Sequence, residues 1–165
     1  MNARQALFAE KKPALLALAD GTVYRGTALG AEAVGTGEVC FNTSLTGYQE
    51  ILSDPSYAGQ MVAMTYTQIG NVGTNAQDME SARPFLSGFI VKEAFQEPSN
   101  FRSEETLHDY LVRWDVPAIE GIDTRALVRR IRDEGAQMAV LSTDPGQQDA
   151  DALVELARKA QGLEG

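Results

Sequence analysis

A single cysteine, Cys40, and a single histidine, His108, set the first limits on this chain. One thiol closes no internal disulfide, and one Cys with one His cannot fill the usual zinc shells. Positive charge is also scarce: 14 Lys and Arg stand against 23 Asp and Glu, a formal net charge of −9. A nucleic-acid binder needs a basic surface, so the balance argues against that class. No apolar run approaches the ~20 residues of a membrane-spanning helix. The opening MNARQALFAEKKP lacks the apolar core and cleavage site of a signal peptide. The expectation is therefore a cytoplasmic protein, with no membrane and no nucleic acid among its partners.

Catalytic signatures are missing too. No Gly-x-Ser-x-Gly elbow occurs, and His108 sits at the edge of an apolar helix face, so neither Ser44 nor Ser56 has an evident base. The carboxylates are scattered and show no calcium-loop spacing. The run GNVGTN at 70–75 has neither Gly-x-x-x-x-Gly-Lys-Ser/Thr nor Gly-x-Gly-x-x-Gly, and its Gly and Asn suit backbone turns. The residues assemble no complete catalytic site, no metal site and no cofactor site.

What remains is ordinary globular material. At 165 residues the chain favours one domain, and 44% hydrophobic content is enough for a core. Residues 1–13 read as an extension ended by Pro13, and 14–165 as the domain. Strands are expected at 14–19 and 22–29, joined by an Asp20-Gly21 turn, and at 38–43 after a turn bracketed by Gly35 and Gly37. These three strands predict an antiparallel start. A helical turn at 48–53 stops at Asp54-Pro55, and 60–66 suits a strand buried on both faces. The 67–84 stretch reads as a long loop, followed by a strand at 87–92. Ser103 is placed to cap a helix burying Leu107, Tyr110, Leu111 and Trp114. A strand at 116–119 leads to a helix capped by Asp123 or Thr124, burying Leu127, Val128 and Ile131 and stopped at Gly135. A strand at 137–142 and a helix at 149–160, burying Leu153, Leu156, Ala157 and Ala160, complete a mixed α/β (α+β) layered domain.

Three features stand out against this scaffold. FNTSLTGYQEILSDPSYAGQ, at 41–60, is too polar for a core element and too poor in charge for a solvated loop. Such stretches on rigid scaffolds carry function. Cys40, between Val39 and Phe41, reads as a buried strand residue, with a reactive thiol as the alternative. Arg125, Arg129 and Arg132 form one helical stripe opposite Leu127 and Ile131. It is either a solvated face or a dock for an acidic partner, since Arg makes forked bonds to carboxylates.

The motifs carry a resemblance as well. EVCFNTSLTGYQEILSDPSY from Glu38, TYTQIGNVGTN from Thr65 and GIDTRALVRRIRDEGA at 121–136 resemble the amino-terminal domain of the small, glutamine-hydrolysing chain of carbamoyl-phosphate synthetase. The resemblance covers nearly the whole chain, from Ala14 to Gly165. It implies a three-layer β/β/α domain. It also implies an amidotransferase domain following in the same small chain, with a Cys-His-Glu triad to which Cys40 does not correspond. Ammonia released there would pass to a synthetase large chain that makes carbamoyl phosphate for arginine or pyrimidine synthesis. By resemblance this domain docks on the large chain, packs on the amidotransferase domain and binds no cofactor. The serine of the family's Asp-Pro-Ser-Tyr motif, here Ser56, contacts the bound glutamine. One departure is Thr67, where many members carry Pro. Alone, the chain is expected not to hydrolyse glutamine. The alternative is a stand-alone interaction module on the same scaffold.

Overall fold

The computed structural model describes residues 11–43, 48–65, 84–93 and 106–164. Ser44, most of the expected extension, all but Pro84 of the loop expected at 67–84 and the proposed cap Ser103 lie outside these residues. Seven strands are described: β1 (Pro13–Leu18), β2 (Val23–Gly30), β3 (Val34–Asn42), β4 (Met61–Met64), β5 (Gly88–Ile90), β6 (Pro117–Glu120) and β7 (Met138–Ser142). Four α-helices join them: α1 (Tyr48–Ser53), α2 (Leu107–Arg113), α3 (Thr124–Glu134) and α4 (Ala150–Glu164). A short 3-10 turn spans Pro55–Tyr57.

The strands close into one barrel in the order β1-β2-β6-β5-β4-β3-β7, with β7 returning to β1. Pairs β3–β4, β4–β5 and β5–β6 are parallel, and the rest are antiparallel. Closure follows from alternation, because successive strand residues face opposite sides. Ala14, Leu16, Leu18, Val39, Met61, Ala63, Ile90, Ile119, Ala139 and Leu141 share the interior cluster. The strand residues alternating with them face out. Leu15, Ala17 and Val140 pack under α4 with Leu153, Val154 and Ala157. Val62, Met64, Phe89 and Ala118 pack under α1 and α2 with Leu52, Leu107, Tyr110 and Leu111. Strands apolar on both faces are what a sheet with an inner core and outer helices demands. The mixed α/β class holds, with the two sheet layers forming opposite walls of one closed sheet and helices outside.

The barrel's ends are closed by different means. At one end α3 lies across the mouth, and its Leu127 and Ile131 enter the interior cluster. Arg130 of this helix reaches the β1–β2 turn, donating to Asp20 Oδ2 at 2.9 Å, and Gln137 Nε2 donates to the same oxygen at 3.1 Å. Asp20 Oδ1 accepts from the Thr22 N–H at 2.8 Å. Burial raises the Asp20 carboxyl, but the bonds from Thr22, Gln137 and Arg130 outweigh it and hold its pKa below the usual value.

The other end is closed by backbone. Gly35 and Gly37 occupy inward positions of β3 and pair with Leu141 and Ala139 of β7. A Cβ on Gly35 would overlap the Ser87 carbonyl, and one on Gly37 would overlap the Gly59 carbonyl and Ser87 Oγ. The absent side chains let the chain before β4 and β5 cross the mouth.

Several expectations change in detail. Gly35 and Gly37 lie within β3 and do not bracket a turn before it, because their role is close approach. β3 is not the partner of β2: it pairs with β7 and β4, so the antiparallel start stops at the β1–β2 hairpin. Thr143 holds the intervening corner, its hydroxyl donating to the Ala31 carbonyl at 2.5 Å and accepting from the Ala33 N–H at 2.9 Å. The cap of α2 is Thr106, whose Oγ1 accepts from the Asp109 N–H at 3.0 Å. In α4, Leu156 is 43% exposed and Val154 is buried, because Leu153, Val154 and Ala157 take the seam against β1 and β7.

Two stability predictions follow from the barrel's ends. Gly37→Ala is expected to lower unfolding free energy by about 2 kcal/mol or more, since the methyl meets backbone that cannot rotate away. Urea unfolding of the variant and parent measures it. Asp20→Asn is expected to cost about 1 kcal/mol near neutral pH. A carboxylate with a lowered folded pKa stabilises above its unfolded value, and that contribution fades as pH falls through the folded one. The gap between parent and variant is therefore expected to close below about pH 4, and a gap independent of pH refutes the assignment.

Candidate functional site

The polar stretch that stood out in the sequence becomes a clamped turn. Ile51, Leu52 and Ser53 of α1 are buried, and the chain then reverses through Asp54, Pro55, Ser56 and Tyr57 before entering β4. Phe85 grips both sides of the reversal. Its N–H donates to the Leu52 carbonyl at 3.0 Å, and its carbonyl accepts from the Gly59 N–H at 3.1 Å. Ser87 adds a second pair, its N–H donating to the Gln60 carbonyl at 2.9 Å and its hydroxyl to the Gly59 carbonyl at 3.2 Å. Asn42, at the end of β3, donates to the Tyr57 hydroxyl at 3.1 Å. The Tyr57 ring packs on the outer apolar cluster.

Ser56 is exposed at the tip of this turn. Asp54 caps it, its Oδ1 accepting from the Ser56 N–H at 2.9 Å. That N–H first, and the Ser56 hydroxyl second, hold the Asp54 carboxyl below its usual pKa. The carboxylate stays ionised at neutral pH beside the Ser56 backbone that it caps. The exposed Ser56 hydroxyl can donate to or accept from a polar group arriving from solvent, such as an amide or ammonium group. Pro55 at the first position of the turn fixes the backbone that presents the hydroxyl. Asp54 was not singled out in the sequence as a functional residue, although Asp-Pro followed by Ser carries the signal of a side-chain-capped turn.

The other candidates separate into structural and open ones. Cys40 is half-buried against the outer cluster, its thiol 3.5 Å from the Met61 carbonyl. Burial, then the nearby Glu38 charge, pushes the thiol's pKa up. That is the opposite of an activated nucleophile, and it favours the structural reading over the reactive one. His108 Nδ1 accepts from the Gly30 N–H at 3.0 Å, so the ring pins α2 to the end of β2. Neither residue meets a hydroxyl or thiol partner that would make a catalytic pair. Ser44 lies outside the described residues.

The arginine stripe lies at the far end of β4 from Ser56. Arg125, Arg129 and Arg132 are exposed on α3, and with Lys92, Thr65, Thr124 and Val128 they line a groove of about 390 Å³. Arg132 also sits over the Phe41 ring, 5.7 Å from its centroid. Lys92 is a member that spacing along the helix does not reveal, because the exit of β5 delivers it. Among the described residues no group of three or more His, Cys, Asp or Glu is placed to hold a metal ion. None of the described helices is long and apolar enough to cross a membrane.

Comparison with known proteins bears on this arrangement. The family described as carbamoyl-phosphate synthase small chain, CPSase domain, matches residues 16–141. The carbamoyl phosphate synthase small chain of Syntrophotalea carbinolica is 60% identical over 152 residues, covering 92% of this chain and 40% of that relative. Those of Rhodopirellula baltica and Aquifex aeolicus are 57% and 52% identical, covering 93% and 90% of this chain and 39% and 40% of their own. This chain thus spans about 40% of the length of the curated relatives it matches. A solved aminopeptidase from Aneurinibacillus sp. strain AM-1 aligns at a TM-score of 0.46 and 12% identity, over 82% of this chain and 34% of its own, a level that carries no argument. Identity of this height over nine-tenths of the chain, with the family match spanning β1 to β7, places the chain in the carbamoyl-phosphate synthase small-chain family.

Proposed function

We propose that this chain acts as the amino-terminal domain of a glutamine-dependent carbamoyl-phosphate synthase small chain. In that role it docks on the synthetase large chain, packs on the amidotransferase domain of its own small chain, and completes the glutamine pocket with Ser56. The observation that carries the reading is the Ser56 hydroxyl itself. It is solvent-facing, carried on a backbone capped by Asp54, and held on a turn whose ends are clamped by Phe85 and Ser87. Such a hydroxyl can accept from the amino or amide group of glutamine without reorganising. The chain contributes binding and not the nucleophile, as the raised thiol of Cys40 and the occupied ring of His108 fit. Ammonia released in the adjoining domain then feeds carbamoyl phosphate synthesis on the large chain, and this domain binds no cofactor of its own.

In the full-length small chain with its large chain, Ser56→Ala is expected to raise KM for glutamine about tenfold, the worth of one hydrogen bond to a charged or polar ligand. Synthesis from added ammonia bypasses the pocket and is expected to stay at the parental rate. A glutamine KM unchanged by the substitution removes Ser56 from the pocket. Failure of the parent small chain to bind the large chain removes the docking role and leaves a stand-alone interaction module.

A further inference from the structure

We infer that the cationic groove over α3 is the surface that receives a carboxylate-rich face of the synthetase large chain, an inference that rests on the docking role proposed above. Four cations meet there from two elements: Arg125, Arg129 and Arg132 from α3, and Lys92 from the exit of β5. Among the described residues no carboxylate lines the groove. Among the described residues, Lys92, Arg125 and Arg129 have no ion-pair partner, whereas Arg130 on the other side of the same helix is engaged by Asp20 and Glu134. The chain as a whole carries a net charge of −9, so a strip of cations unopposed among the described residues is a local reversal of its field. An acidic partner is repelled by most of this surface and admitted at the groove, which sets orientation as well as attraction.

The shape of the strip favours a protein face over a compact anion. Arg125 to Arg132 extend about 10 Å along the helix, room for several carboxylates side by side. The usual anion position at the helix N-terminus is already taken, since Asp123 Oδ1 accepts from the Ala126 N–H at 3.0 Å. Guanidinium forks match carboxylates in pairs, and buried Val128 and Thr124 form a floor between them. The groove is rigid because α3 is fixed by Leu127 and Ile131 in the barrel interior.

The experiment titrates the large chain onto the full-length small chain across a series of salt concentrations. Arg125→Glu with Arg129→Glu is the test variant; both positions are exposed and without partners among the described residues, so the fold tolerates the change. Arg132 is left alone because it covers Phe41. The double variant is expected to raise Kd about tenfold or more and to flatten the dependence of Kd on salt. Arg25→Glu, the same kind of charge reversal at an exposed position of β2, is expected to keep the parental Kd. If the parent binds and the double variant keeps its Kd and salt dependence, docking stands but this groove is not its surface. An equal loss from Arg25→Glu makes net charge the cause and overturns the inference. Saturable binding of inorganic phosphate to the small chain, abolished by the double variant without change in large-chain Kd, assigns the groove to a small anion instead. A parent that does not bind the large chain overturns both readings together.

Discussion

Backbone meets backbone at Gly35 and Gly37, and the placement of the Ser56 turn depends on that contact. These positions face the barrel interior, where every other inward residue of β3 carries a side chain. Filling them would push away the Gly59 and Ser87 carbonyls. Those same two residues take part in the hydrogen bonds that hold the turn before β4. Closing the barrel's mouth and presenting Ser56 are thus one packing event. A rigid site on a turn normally requires added support around it. Here the barrel wall supplies it.

The opposite mouth is closed by side chains, and this difference divides the molecule. α3 plugs the interior with Leu127 and Ile131, ties itself to the β1–β2 turn through Arg130 and Asp20, and so keeps its remaining face for other contacts. A helix turn repeats every 3.6 residues, so one helix can bury one stripe, pair a second and expose a third. The unpaired stripe is the one bearing Arg125, Arg129 and Arg132. One end of the barrel is therefore polar, hydroxyl-bearing and shaped by backbone. The other is cationic and shaped by side chains. A change in one need not pass to the other, because the strands between them are packed on both faces.

Most of the scaffold was legible from periodicity. The strands expected at 14–19 and 60–66 appear as Pro13–Leu18 and Met61–Met64, and the Asp20-Gly21 turn and the helix between Asp123 and Gly135 follow the pattern of apolar residues and caps. Local rules failed where the cause was not local. Two glycines near each other read as a turn, yet Gly35 and Gly37 answer to residues 22 to 52 positions away in sequence, which no window of neighbours contains. Sequence order suggested that β3 pairs with β2, but β7 supplies its antiparallel partner across about a hundred residues. The site divides in the same way. Ser56 was singled out through a motif and stands on the exposed turn, while the Asp54 cap lay in turn chemistry that had been read only as a helix stop. Lys92 beside the arginine stripe was invisible, because only the barrel brings the exit of β5 to α3.

That separation bears on how a small chain with an acidic surface can serve two neighbours. On the role proposed above, the Ser56 hydroxyl must hold its geometry while a larger protein binds and leaves, and binding on one face strains a loose domain on another. A closed barrel resists such strain, because bending one wall moves every strand in register. The Ser56 turn enters β4 and the cationic groove lines its exit, so a rigid strand of four fully buried residues separates them. If docking affects glutamine binding, the signal must travel through a rigid shift of the whole domain and not through local rearrangement of either end. The uneven charge works in the same direction. With a net negative surface and one positive mouth, an acidic partner approaches from the end away from Ser56. On the proposed reading, the Ser56 end then stays clear for glutamine.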